Sequence, residues 1–111
     1  MKPRAIWLAD FSKTETGDKK IRPVLIVSAE QFNSGADVVI LPITGSADVS
    51  DPFVIRVTTA EYMATGLKDP ASSIKWTKPH ALPKSLLKRK LGMLSPTTFD
   101  SVRKKLKSVF T

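Results

Sequence analysis

The sequence predicts a mainly β protein: a small, strongly curved sheet or barrel with one helix packed on it at the C-terminal end. Three observations lead there. Most apolar residues fall in short runs rich in Val, Ile and aromatic side chains, the composition that suits a pleated, half-buried surface. Between these runs lie polar stretches with Gly, Pro, Asn and Asp, the usual turn formers. Only after Ser95-Pro96 do the apolar residues recur at three and four, the helical period.

In chain order, Ile6–Phe11 reads as the first strand, and the polar residues 12–21 as a long loop of the kind that often carries function. Val24–Val27 is four apolar residues in a row, which predicts a strand buried on both faces. Pro23 cannot donate a ladder hydrogen bond and is expected at the strand start, so Arg22 falls where the loop meets the sheet. Ala29–Phe32 predicts a helical turn ended by Asn33-Ser34-Gly35. Val38–Thr44 is the third strand, 45–52 a loop and Phe53–Val57 a fourth strand. Residues 58–64 are expected to form a short helix closed by Gly66. The alternation across Ser73–Lys78 predicts a fifth strand, which the prolines at 79 and 83 interrupt. One helical turn is expected at Pro83–Leu87 and a short strand at Leu91–Leu94. Ser95 then serves as N-cap with Pro96 in the first helical turn. Phe99, Val102, Leu106 and Val109 form the apolar stripe of that helix, and Arg103, Lys104, Lys105 and Lys107 suit its C-terminal dipole.

At 111 residues the chain is expected to be a single domain spanning 1–111, since domains take about 100–200 residues. With no cysteine, disulfides, cysteine nucleophiles and thiolate metal sites are excluded. A single histidine, His80, argues against a metal site, so neither metal nor cofactor is expected. No apolar run approaches the ~18 residues of a membrane span, and Met1–Asp10 does not fit a signal peptide. The expected compartment is the cytoplasm.

The charge is concentrated. Against a formal net charge of +8 for the whole chain, residues 1–74 carry 8 basic and 9 acidic side chains, net −1; residues 75–111 carry 10 basic and 1 acidic, net +9. A field focused in one third of the chain favours a polyanionic partner, either nucleic acid or an acidic protein segment. Lys84, Lys88, Arg89 and Lys90 form a run within it, which can border such a partner or simply be a solvated face. Trp7 and Trp76 suit a core or an interface better than a base-stacking platform.

The order of segments resembles the MazF/PemK/Kid family of toxin ribonucleases. The matching pieces are Ile6-Trp7-Leu8, Arg22-Pro23-Val24-Leu25-Ile26-Val27-Ser28, Phe32-Asn33, Val39-Ile40-Leu41-Pro42-Ile43-Thr44, Pro52-Phe53, a strand around Ser73–Lys78, and Leu91-Gly92-Met93-Leu94-Ser95 before the closing helix. The resemblance implies an SH3-like or CcdB-like small barrel, a two-fold homodimer, and metal-independent cleavage of single-stranded RNA. It also implies a small acidic antitoxin as partner. Arg22 and Thr44 take the positions of the family's active-site arginine and threonine, and Ser46 lies close by. Lys75, Thr77, Lys78, His80, Lys88 and Lys90 are the expected RNA contacts.

The sequence departs from the family pattern in three places. Arg4-Ala5 stands where a Gly-acidic pair is usual, and Ser12–Gly17 replaces the usual loop before Arg22. Lys75 and Thr77 stand where some members carry a catalytic arginine and aspartate. Thr77 cannot serve as a general base at neutral pH, so the base is unassigned. Alternatives to the enzyme are a weak or inactive relative and an inhibitor of a protein target, as CcdB-type proteins act. In the blander reading, Arg22 pairs with Glu15 or Asp18 and Thr44 is an ordinary strand-end residue.

Overall fold

Alternation of inward and outward side chains builds one sheet with two apolar faces. The structure is a computed structural model that describes residues 1–11, 21–45, 50–58, 62–64 and 71–110. The strands are β1 (Ala5–Asp10), β2 (Ile21–Ile26), β3 (Asp37–Thr44), β4 (Ile55–Thr58), β5 (Tyr62–Ala64), β6 (Ala71–Ile74), β7 (His80–Pro83) and β8 (Leu87–Leu94), followed by α1 (Pro96–Ser108). The sheet order is β4-β6-β3-β2-β1-β8-β5, with β7 also paired to β3. Every pairing is antiparallel.

One face of the sheet is covered by α1. Ile6, Leu25, Leu41, Ile43, Val57, Ile74, Trp76, Leu91 and Leu94 form a core there with Phe99 and Val102 of the helix. The alternate residues, Ala5, Ala9, Val24, Ile26, Val38, Ile40 and Leu82, form a second cluster, against which Trp7, Phe11, Leu86, Leu87 and Met93 pack. The helix begins as expected: the Ser95 hydroxyl accepts from the Thr98 amide at 3.3 Å. Its stripe is shorter than expected. Phe99 and Val102 are buried and Leu106 packs on the core, but Val109 lies past the last turn and is exposed.

Several expected elements are corrected. Residues 62–64 are a strand, not part of a helix: they pair with the far end of β8, Tyr62 opposite Leu94 and Ala64 opposite Gly92. Pairing to a sheet edge outweighs local helical preference. Thr58, the first residue of that expected helix, ends β4 opposite Ala71; residues 59–61 and the expected closure at Gly66 lie outside the described residues. The basic run at 88–90 is strand, because β8 spans eight residues rather than four. Residues 80–83 are strand as well, despite Pro83 at the end, paired with β3 from Asp37 to Ile40.

The fifth expected strand ends early. β6 pairs only Ile74 and Ser73 with Ile43 and Thr44, and a turn closed by Lys78 N–H to the Lys75 carbonyl at 3.2 Å follows. β6 and β7 thus share one flank of β3. Pro42 sits at the handover between them, where its carbonyl still accepts from Lys75 N–H at 3.0 Å and its ring nitrogen has no hydrogen to donate.

Pro23 lies inside β2 rather than at its start. The ladder to β1 runs from Leu25 to Ile21, whereas the ladder to β3 begins at Val24, just after the proline.

Arg4 precedes β1 with φ 74, in the left-handed region that favours glycine. Three hydrogen bonds hold it there. Its amide donates to the Ile26 carbonyl (3.0 Å), its carbonyl accepts from Leu94 N–H (2.9 Å), and Nε donates to the Leu94 carbonyl (3.0 Å). A residue in such a conformation costs about 1 kcal/mol or more, which the backbone bonds on both sides offset.

Candidate RNA-binding and active-site face

In an antiparallel sheet, residues directly opposite one another share a face. That rule places most of the residues expected from the sequence. Thr44 of β3 lies opposite Ser73 of β6, and Ser73 lies opposite Arg56 of β4. On the other flank, the β2–β3 register runs Val24 to Pro42 and Ile26 to Ile40. Continued by two residues, it sets Arg22 across from Thr44 where that ladder has ended. Arg22, Thr44, Ser73 and Arg56 therefore form one polar row across four strands, on the face that α1 leaves uncovered.

The side chains grade across this row. Arg22 and Arg56 at its ends are exposed, Thr44 is half-buried and Ser73 is buried. The half-buried Thr44 hydroxyl, in a row that ends in two guanidinium groups, can give a hydrogen bond to a phosphate oxygen, with the planar, permanently charged forks supplying the cations.

The next row on the same face is bounded by two of the expected lysines. Lys75, opposite Pro42 through its amide bond, begins it. Val24, paired with Pro42, and Trp7, paired with Val24, continue it, and Lys90 opposite Trp7 ends it. Lys75 is half-buried and Lys90 exposed. The Trp7 indole N–H between them is buried without a hydrogen-bond partner. His80, opposite Ile40, lies one row further on, exposed, with Nδ1 3.3 Å from the Lys78 carbonyl. Lys88 falls at the irregularity between the Leu8–Arg89 and Ala9–Leu87 pairs.

Thr77 and Lys78 are not in a strand with Lys75, as expected from the sequence, but in the turn that follows it. Ser46, Glu15 and Asp18 lie outside the described residues. Lys84 is taken up elsewhere: its Nζ donates to the Asn33 carbonyl at 2.8 Å. Trp76 is core, packed against Phe53 with ring centres 6.0 Å apart and capped by Lys105 Nζ at 5.8 Å. Among the described residues, no group of three or more His, Cys, Asp or Glu could hold a metal ion.

Sequence reasoning missed Arg56 and Ser73. Arg56 stands between Ile55 and Val57 in an alternating run, so its outward direction was readable. Which residues it opposes depended on a register that only the fold supplies.

A family model described as "PemK-like, MazF-like toxin of type II toxin-antitoxin system" matches residues 2–110. The chain belongs to this toxin family. Among curated relatives, it is 37% identical over 84 residues to the probable endoribonuclease MazF of Mycolicibacterium smegmatis, covering 76% of this chain and 72% of that protein. Among solved structures, it resembles the toxin MazF-mt6 of Mycobacterium tuberculosis, with TM-score 0.73, 22% identity and 96% of each chain covered. It also resembles a mycobacterial endoribonuclease solved in complex with its cognate antitoxin, with TM-score 0.69, 22% identity, and 99% and 94% of the two chains covered. These likenesses establish the fold expected from the sequence, a mainly β half-barrel with a C-terminal helix. The toxin's sheet therefore has the family architecture, with its polar row on the face away from α1. Arg4, which the resemblance sets against the Gly-acidic pair expected before the first strand, has the positive φ that favours glycine.

Proposed function

We propose that this toxin is an endoribonuclease that cleaves single-stranded RNA without a metal ion, using the ribose 2′-hydroxyl as nucleophile on the adjacent phosphate. The observation that carries this reading is the placing of Arg22 across from Thr44 on the open face of a PemK/MazF-type sheet. As the phosphorus becomes five-coordinate, negative charge builds on its equatorial oxygens. Arg22 stabilises that charge with a bidentate fork, and the Thr44 hydroxyl gives a further hydrogen bond. Lys75 and Lys90 hold the flanking backbone, with Lys78, His80 and Lys88 further along the track; Ser46, two residues after Thr44 in the sequence, is kept as an RNA contact on the resemblance alone. Thr77 has no carboxylate to take the 2′-proton, so the base is another group or water.

The same reading has the chain work as one domain and as a homodimer in the cytoplasm. A small acidic antitoxin would neutralise it, its carboxylates competing with phosphates for one cationic face. None of the described helices is long and apolar enough to cross a membrane.

The test is cleavage of a single-stranded RNA in EDTA. Wild-type protein is expected to cut, leaving a 2′,3′-cyclic phosphate or 3′-phosphate, and to stop at a substrate with deoxyribose at the cleavage site. Arg22→Ala should lower the rate by ~10²–10³, the usual effect of removing a transition-state donor. A 3′-hydroxyl product, or dependence on added magnesium, would replace the 2′-hydroxyl route with activated water. The Thr77 departure favours a second reading, a toxin that binds RNA or a protein target without cutting. Tight RNA binding with no product from any sequence would select it.

A further inference from the structure

The cleavage reading uses one end of the polar row and leaves the other unexplained. Arg56 is not among the residues that carry the family resemblance, yet its register is fixed by two ladders. Arg56 opposes Ser73, and Ser73 opposes Thr44. Its neighbours confirm the direction: Val57 is buried and Ile55 packs on the helix-side core. Arg56 therefore faces the other way, with Thr44 and Arg22. It is exposed, and β4 is the last strand on its side of the sheet, so the guanidinium stands at the rim of the open face.

We propose that Arg56 is a second phosphate-binding residue, which holds a neighbouring phosphate of the same RNA strand while Arg22 and Thr44 hold the scissile one. This rests on the ribonuclease reading above. Two strand spacings separate Arg56 from Thr44 and three separate it from Arg22, about 10 and 14 Å between backbones at ~4.8 Å per strand. Standing at opposite ends of the row, with Thr44 and Ser73 between them, the two guanidinium groups can each hold a different phosphate of one extended strand. The RNA consequently crosses the strands of the sheet rather than running along them. A guanidinium at the rim fixes the register of the substrate over Thr44, so Arg56 acts as a positioning residue. The competing role is purely structural, a charge that keeps an edge strand from pairing with other chains.

The experiment uses an RNA carrying deoxyribose at its cleavage site, so that binding is read without turnover. Fluorescence anisotropy over a salt series is measured for wild type, Arg56→Ala and Arg56→Lys. Arg56→Ala should bind roughly tenfold more weakly, the scale of one charge-assisted contact. Its salt slope should fall by ~0.7, one phosphate contact on a single strand. Arg56→Lys should restore the slope, since it keeps the charge. A neutral methylphosphonate is then moved along the RNA one linkage at a time. One position other than the scissile linkage should weaken wild type and leave Arg56→Ala unaffected. Unchanged binding and slope in Arg56→Ala would overturn the proposal, as would a methylphosphonate pattern identical in both proteins. Cleavage by wild type separates the two readings. If wild type cuts and Arg56→Ala behaves like it, only the role of Arg56 falls; if wild type neither binds nor cuts RNA, both fall.

Discussion

The two faces of the sheet are made by the same strands and differ only in the parity of the residues that supply them. On the helix side, Leu25, Leu41, Ile43 and Ile74 are apolar along the whole length and are sealed by Phe99 and Val102. On the other side, the apolar residues Val24, Ile26, Val38 and Ile40 occupy one stretch of the strands, and the face turns polar at Arg22, Thr44, Ser73 and Arg56. The helix-covered face is where stability is concentrated. The open face changes character along the strand, and the proposed binding row lies where it does.

This contrast can be broken first by exchanging the two effects. Phe99→Ala removes the largest helix contribution to the covered face and should destabilise the fold by about 3–5 kcal/mol. In protein still folded, well below its lowered Tm, the rate of RNA cleavage should be unchanged. Arg22→Ala should do the reverse, lowering the rate while moving Tm little. Calorimetry and a cleavage assay on both variants decide it, and a large loss of both properties in either one would erase the division between faces.

Charge reversal sharpens the comparison next. Lys75 and Lys90 border the open face and Lys88 lies at the nearby irregularity of β8, whereas Lys104 and Lys107 lie on α1, Lys104 paired with Asp100 at 3.2 Å. Turning the first three to glutamate should flatten the salt dependence of RNA binding by about 2 in slope, at ~0.7 per phosphate contact. Turning Lys104 and Lys107 should change it much less. Equal flattening would mean that the basic excess acts as diffuse charge. The smallest effect expected is that of Ser95→Ala. It removes the N-cap of α1 and should lower stability by about 1 kcal/mol, read as a shift in denaturation midpoint with no change in RNA affinity.

The legible part of this molecule was what local pattern dictates. Ser95-Pro96 and the spacing of Phe99 and Val102 gave the helix, and the aliphatic runs at 24–27 and 38–44 gave the two central strands. Arg22 and Thr44 were singled out because they flank those strands, and the continued register sets them in one row on the same face. What escaped depended on partners distant in sequence. Tyr62–Ala64 is strand only because the end of β8 offers an edge, and His80–Pro83 only because β3 has a flank free below Pro42. Thr77 and Lys78 were expected in line with Lys75, but β3 changes partner at that point and the chain must turn. Arg56 had a readable direction but no readable neighbours.

The position of β1 has a consequence for how the toxin comes into being. β1 is bonded to β2 on one side and to β8 on the other, with Ala5 opposite Met93. The first strand made is therefore completed by the last, and closing that pair means ordering nearly the whole chain at once, which is slow compared with local contacts. On the ribosome, neither face can be finished until residues 87–94 have emerged. The nascent chain thus carries Arg22 and Thr44 through most of its synthesis without the finished sheet that sets them in one row, and the proposed RNA-binding face is complete only after β8 is in place.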